Sequence, residues 1–305
     1  AGQTTDIISE LAVARLGMSI HSGFAQSLPE LTNIDIQHRF RPALDLAFTD
    51  TEAVEAKSQV KWRANEDGYS VQWIDPHEVH NLVPEVSENI LGAVFTTGVA
   101  DVEPYRLMLA LTTACEKMGV DIIHTRAQGL NYKESSVKSV STDRGEIYCD
   151  SAVLAMGPWS LNASEWIKQD IPITPLKGQI LRMKSDEVNL NMSVGWRGNY
   201  ACTKPDGLLW AGTTEENTGF DDSTSAFGRD SVLTALTKMI NGLDSAELVH
   251  HTACLRPLSA DGKIILGDVP NISHLFIASG TGRKGILLGP GMGKITSDLI
   301  TNQPI

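Results

Sequence analysis

Six residues near the end of the chain, Gly280-Thr281-Gly282-Arg283-Lys284-Gly285, restrict its fold more than any other stretch. They fit G-x-G-x-x-G, follow the apolar run Leu275-Phe276-Ile277-Ala278-Ser279 and precede a helical pattern reaching about Leu299. Strand, glycine turn and helix in that order belong to an α/β layer whose backbone N–H groups and helix N-terminus face an anionic ligand. A dinucleotide fingerprint also needs a second parallel strand ending in an acidic residue about 20 positions later, and the sequence reaches Ile305 before one. The turn is therefore read as facing a different anionic group, such as the negative charge that develops on the N1–C2=O edge of a reduced flavin, with Arg283 adding charge. Pro290 is expected at the first position of the following helix. A purely structural glycine turn is the plain alternative.

The bulk numbers narrow the class. At 305 residues the chain can hold two domains. A formal charge of −12 disfavours binding to nucleic-acid backbones, which calls for a basic footprint. Cys115, Cys149, Cys202 and Cys254 are widely spaced, which indicates neither a zinc site nor a disulfide framework and points to a reducing, cytoplasmic setting. No run of about 18 apolar residues suggests a membrane span. His77 and His80 lack the spacing that places two imidazoles on one helical face, and His250-His251 would point to opposite faces of a strand.

Periodicity predicts an opening helix to about Ser27 that Pro29 ends, strands around 35–40 and 44–48, and a helix from Thr51 to about Arg63. Asp75-Pro76 with Glu78 marks another helix start. A strand from Leu91, a helix from Pro104 to Met118 and a strand over Val120–His124 form a β-α-β passage. Short strands follow around Leu130, Val137 and Ile147, and then Ser151–Ala155, read as buried on both faces. Residues 171–214 read as several strands with turns at Lys177-Gly178, Arg197-Gly198 and Pro205-Asp206-Gly207, and Ser231–Ile240 as a helix capped by Asp230.

One run is more specific: Cys254-Leu255-Arg256-Pro257-Leu258-Ser259-Ala260-Asp261-Gly262, then Leu275–Ser279, then Gly282-Arg283-Lys284-Gly285-Ile286-Leu287-Leu288. It resembles the C-terminal signature of the glycine oxidase/D-amino-acid oxidase family. Val102-Glu103-Pro104-Tyr105, Ala155-Met156-Gly157-Pro158-Trp159, Pro175-Leu176-Lys177-Gly178-Gln179 and Trp210-Ala211-Gly212-Thr213-Thr214 agree in order and spacing.

The resemblance implies an α/β protein: part of a Rossmann-like FAD-binding domain (1–28, 99–165 and 253–305) interleaved with a substrate domain (29–98 and 166–252) on a large mixed, mostly antiparallel sheet. It implies FAD as cofactor, a small amine or amino acid bearing a carboxylate as substrate, and hydride transfer to flavin N5. Arg256 matches the arginine that clamps the carboxylate, Tyr200 the tyrosine that assists it, and Arg283 completes the catalytic set. A surface salt bridge for Arg256 and ring packing for Tyr200 are the structural alternatives. Gly2, Gln3, Ala155, Met156, Gly157, Trp159, Gly282, Arg283, Lys284, Gly285, Ile286 and Leu287 match positions along the flavin. No metal is implied. The family's opening βαβ unit has no counterpart in this sequence, which begins at Ala1 without Met, so a partial chain that holds FAD poorly and is silent is one alternative. A dehydrogenase using an acceptor other than oxygen is another, and oligomerisation stays open.

Overall fold

The computed structural model describes residues 2–63 and 69–304, with side chains from 10–60 and 69–304. In chain order the elements are α1 (Gly2–Thr32), β1 (Arg39–Phe40), β2 (Ala43–Ala47), α2 (Asp50–Arg63), β3 (Ser70–Ile74), α3 (Pro76–Leu82), β4 (Gly92–Thr97) and β5 (Ala100–Asp101). Then come α4 (Pro104–Lys117), β6 (Ala127–Lys133), β7 (Ser136–Thr142), β8 (Gly145–Tyr148), β9 (Ala152–Leu154), α5 (Ala163–Ile167), β10 (Ile173–Lys184), β11 (Ser193–Trp196), β12 (Asn199–Thr203) and β13 (Leu209–Gly212). The chain finishes with α6 (Ala226–Met239), β14 (Glu247–Ser259), β15 (Ile265–Asp268), β16 (Leu275–Ser279) and α7 (Gly285–Thr301).

Eight strands form one mixed sheet in the order β14-β10-β13-β12-β11-β2-β4-β3, antiparallel except where β11 meets β2. Side chains alternate across a strand, and β10 shows the consequence. Ile173, Lys177, Gln179, Leu181 and Met183 are buried on one face, whereas Leu176, Ile180 and Arg182 on the other are half-buried. The buried face packs on α6 and α3 through Leu44, Leu181, Val194, Leu209, Leu236 and Met239. The opposite face is hollowed by small residues. Gly195 and Gly212 flank Tyr200 across the strands, and Gly178 stands opposite Cys254.

A second layer holds β15-β16-β9, with β16 and β9 parallel. Helices α1 and α7 cross at contact distance, because a Cβ on Gly17 would stand 2.0 Å from Leu287 O and one on Gly291 would stand 2.6 Å from Val13 O. Only glycine permits that approach. A meander of β6-β7-β8 and the pair β1-β5 complete the structure.

Several local expectations hold, among them the capping box of Asp75 with Glu78, which starts α3. Others change. Helix α1 runs through Pro29 to Thr32, where Asn33, at φ 61°, donates its N–H to Pro29 O. Leu28 is packed in a core with Leu107 and Ala110, so tertiary burial carries the last turn despite the proline's missing donor. Pro290 lies inside α7 rather than at its start. Its missing N–H leaves the carbonyl four residues earlier without an intrahelical donor, and His21 Nε2 sits 2.7 Å from that oxygen, Ile286 O. Helix α6 begins at Ala226 under a Ser225 cap, ahead of Asp230.

Residues 120–124 form no strand, and Val120, Ile122 and Ile123 are exposed, since a strand needs a ladder partner and none of the described residues supplies one. Strand β9 is covered on one face rather than both, with Leu154 buried and Val153 exposed.

Candidate active site

Lys177-Gly178 is no turn but the middle of β10, and the reason for the glycine is Arg256. A Cβ at Gly178 would stand 2.0 Å from Arg256 Nη2, so the guanidinium lies flat across a strand that has no side chain there. Arg256 Nη2 donates to Thr213 Oγ1 at 2.7 Å and Nη1 to Thr214 O at 3.3 Å. These partners are neutral. Burial works against the Arg256 charge, as does nearby Arg283. A half-buried guanidinium held in one plane by neutral partners is suited to a bidentate anion. Among the described residues no carboxylate forms an ion pair with Arg256 as close as those of Arg283 or Lys284, which weakens the salt-bridge alternative.

Tyr200 rises from β12 on the same face, between Gly212 and Gly195. Burial pushes its phenol up to about 12, against the opposing pull of Arg256, Arg283 and Arg182. Its hydroxyl therefore stays a neutral donor throughout the physiological range. Arg283 reaches the same neighbourhood from the glycine loop, donating to Gly198 O at 2.6 Å and meeting Glu215 at 3.2 Å. Arg256, Tyr200 and Arg283, far apart in sequence, are thus brought to one end of the hollowed face.

The expected cofactor residues fall into two loops at the C-terminal ends of the parallel strands β9 and β16, where open α/β sheets bind ligands. Ala155, Met156, Gly157 and Trp159 form the first loop, and Trp159 stacks on Phe220 with centroids 5.9 Å apart. Ser160 and Ser279 hydroxyls meet at 2.9 Å and tie it to the second loop. There Gly280 turns with φ 81°, where a Cβ would stand 2.9 Å from Lys263 O. Gly282 follows with φ 52°, and α7 starts at Gly285. Arg283, Lys284, Ile286 and Leu287 line a cavity of about 410 Å³ at the first turn of α7. Free N–H groups and the positive end of a helix dipole beside a cavity fit the anionic edge of a flavin. Gly2 and Gln3 lie in the first turn of α1, whose side chains fall outside the described residues.

Sequence reading missed three groups. His21 and His38 line the α7 cavity, each with one buried ring nitrogen lacking a partner. Burial lowers His38, helped by His21 and opposed by Asp101. Thr213 holds Arg256. Lys177 is 2% exposed and ion-pairs with Asp221 at 2.8 Å and Glu216 at 3.7 Å. With buried Gln179, which donates to Glu216 Oε1 and Ser225 Oγ, it anchors the loop carrying Glu215 and Phe220. A lysine in phase with the buried residues of an alternating strand was the available signal, since such a charge requires carboxylate partners. Three of the histidines set aside earlier have partners: His251 meets Gln179 Oε1 at 2.9 Å, His80 meets Val86 O at 3.2 Å and His77 Nδ1 meets Asn81 Nδ2 at 3.3 Å.

Glycine oxidase of Bacillus subtilis (strain 168) is 26% identical over 287 residues, 94% of this chain and 76% of that protein. Glycine oxidase of Pseudomonas putida is 30% identical over 247 residues, 80% of this chain and 67% of its own. Among solved structures, glycine oxidase from Geobacillus kaustophilus superposes with a TM-score of 0.92 at 26% identity, covering 96% of this chain and 80% of that one. Residues 2–299 match the family described as FAD dependent oxidoreductase, and the chain belongs to that family, DAO.

Proposed function

We propose that the chain oxidises the C–N bond of a small amine or amino acid, with Arg256 as the residue that recognises a substrate carboxylate. The observation that carries this reading is the Arg256 guanidinium laid over Gly178 and fixed by Thr213 and Thr214, with no carboxylate ion-paired to it among the described residues. Tyr200 adds a single neutral hydroxyl, and Arg283 adds positive charge at the mouth of the site.

FAD, when bound, would supply the hydride acceptor for the carbon bearing the amine. The loops at 155–159 and 282–287 would hold it, with the N-terminal turn of α7 offering free N–H groups to an anionic part of the cofactor. The protein's share is orientation: two nearly parallel N–H bonds from Arg256 fix the carboxylate, and with it the adjacent C–H bond. A substrate amine that has lost its ammonium proton needs no protein base, and the substrate leaves as an imine that water hydrolyses to an oxo acid and ammonia or an amine.

We assign the cofactor to residues 1–28, 99–165 and 253–305 and the substrate to 29–98 and 166–252. Strand β14 crosses position 253, so the site lies on the seam. No described helix is long and apolar enough to cross a membrane. We place the protein in the cytoplasm, in keeping with its free cysteines, and fractionation would check this. The functional test is anaerobic flavin reduction, with FAD supplied, by a panel of amino acids and amines. Reduction by none of them refutes the reading.

A further inference from the structure

On the hollowed face a second cavity of about 330 Å³ is lined by Tyr200 together with Cys202, Arg41, Lys204 and Asp101, and not by Arg256. Its charges do not balance. Arg39, Arg41 and Lys204 all converge on the one carboxylate of Asp101, at 2.9, 3.1 and 2.8 Å. Their other donors reach only neutral carbonyls: Thr203 O from both arginines, Leu190 O from Arg41, and Val102 O from Lys204. Arg41 and Lys204 are 5% and 10% exposed, so solvent screens them little. Arg41 Nε lacks hydrogen-bond geometry to any acceptor. Burial works to raise the Asp101 carboxyl, yet the bonds from Arg39 and Lys204 and the charge of Arg41 outweigh it and hold it below the ordinary value.

Three cations around one carboxylate bind together the segment before β2, the segment around β5 and the end of β12. That structural task needs only a balanced cluster. Two of the three cations, Arg41 and Lys204, line the cavity against the single carboxylate of Asp101 and give this part of the hollowed face a positive field, with Arg39 behind them. Tyr200 and Cys202 stand two residues apart on the same side of β12, a rise of roughly 7 Å.

We propose that this cavity is a second anion subsite, so that the preferred substrate is an amino acid whose side chain ends in another acid group, held near Arg41 and Lys204 while Arg256 holds the α-carboxylate. This rests on the carboxylate role of Arg256, and the test separates the two. Isothermal titration of the full chain, with FAD supplied, compares adipate with hexanoate, which have equal length but two and one acid groups. Adipate should bind about tenfold tighter. Lys204→Met should bring the two to near parity, and Asp101→Asn, which keeps shape and removes the opposing charge, should widen the preference. Equal binding in the unaltered chain overturns the proposal, as does an unchanged preference in Lys204→Met or a narrowed one in Asp101→Asn. If Lys204→Met fails to fold, Asp101→Asn decides alone. Arg256→Lys should weaken both acids; if it weakens neither, the α-carboxylate clamp fails, while the adipate preference and its response to residues 101 and 204 still judge the second subsite.

Discussion

The eight-stranded sheet and the β15-β16-β9 sheet differ in how completely they are used. In the eight-stranded sheet one face is sealed by a single large apolar core, and the other is left hollow at Gly178, Gly195 and Gly212 so that Arg256 and Tyr200 can stand in it. The three-stranded sheet has a smaller core around Leu154, Leu275 and Ile277. After α4, Met118, Val120 and Ile123 are 76%, 53% and 54% exposed. Packing is therefore heaviest under Arg256 and Tyr200, while the layer bearing the loops at 155–159 and 282–287 rests on a smaller buried core. A site that depends on orientation gains from this arrangement, because positioning groups work best when mounted on packed strands.

Hydrogen exchange should expose the contrast most strongly. Amides of Leu181 and Ala211, which pair in the sealed sheet, should be protected about a thousandfold or more beyond those of Ile122 and Ile123, an opening free energy of roughly 4 kcal/mol. Similar protection in both segments would break the comparison.

Next in size is Arg256→Lys. A point charge cannot reproduce two parallel bonds, so with FAD supplied the rate of flavin reduction by an amino acid should fall by about 2–5 kcal/mol, roughly 30- to 5000-fold. Reduction by the matching decarboxylated amine should change little. Equal slowing of both substrates would mean that Arg256 supports the fold or the cofactor instead.

What the sequence disclosed follows the same division. Signals made by adjacent residues were legible: the Asp75–Glu78 box and the strand-to-loop steps into 155–159 and 280–285. Features set by distant partners were not. Gly178 reads as a turn until Arg256 is laid across it. Pro290 reads as a helix start until His21 is seen beside the carbonyl it orphans. Val120–His124 has the apolar content of a strand, and only the absence of a neighbour among the described residues shows why it is not one. The positive cavity near Asp101 joins residues from β1 to β12, and no local pattern announces it.

Gly178→Ala sharpens the comparison at one atom. The added methyl would occupy the plane of the Arg256 guanidinium, 2.0 Å from Nη2. A long side chain can tilt away, so the protein should fold, with a cost typical of overpacking, about 1–3 kcal/mol. The tilt should appear mainly as a higher KM for the amino acid, while the amine is spared. An unchanged KM for the amino acid would show that the flat seat of Arg256 is irrelevant to recognition.

The smallest expected effect belongs to Tyr200, whose proposed role is a single neutral hydrogen bond to the carboxylate. Tyr200→Phe should cost about 0.5–1.5 kcal/mol in flavin reduction by an amino acid, roughly 2- to 10-fold. Its pH dependence is the sharper measurement. Burial raises the phenol to about 12 in the folded chain, above the value near 10 of an unfolded tyrosine. The folded state thus holds this proton more tightly. Any stability linked to it is fully present below about pH 10 and is lost as pH rises toward 12. Within the window where the enzyme can be assayed the hydroxyl keeps its proton, so the ratio of unaltered to Tyr200→Phe rates should be flat from about pH 6 to 9. A ratio that instead falls through an apparent pKa below 10 would mean that the phenol ionises beside Arg256 in the working enzyme. Tyr200 would then be an acid–base group, and the division of labour between a charged clamp and a neutral donor would have to be redrawn.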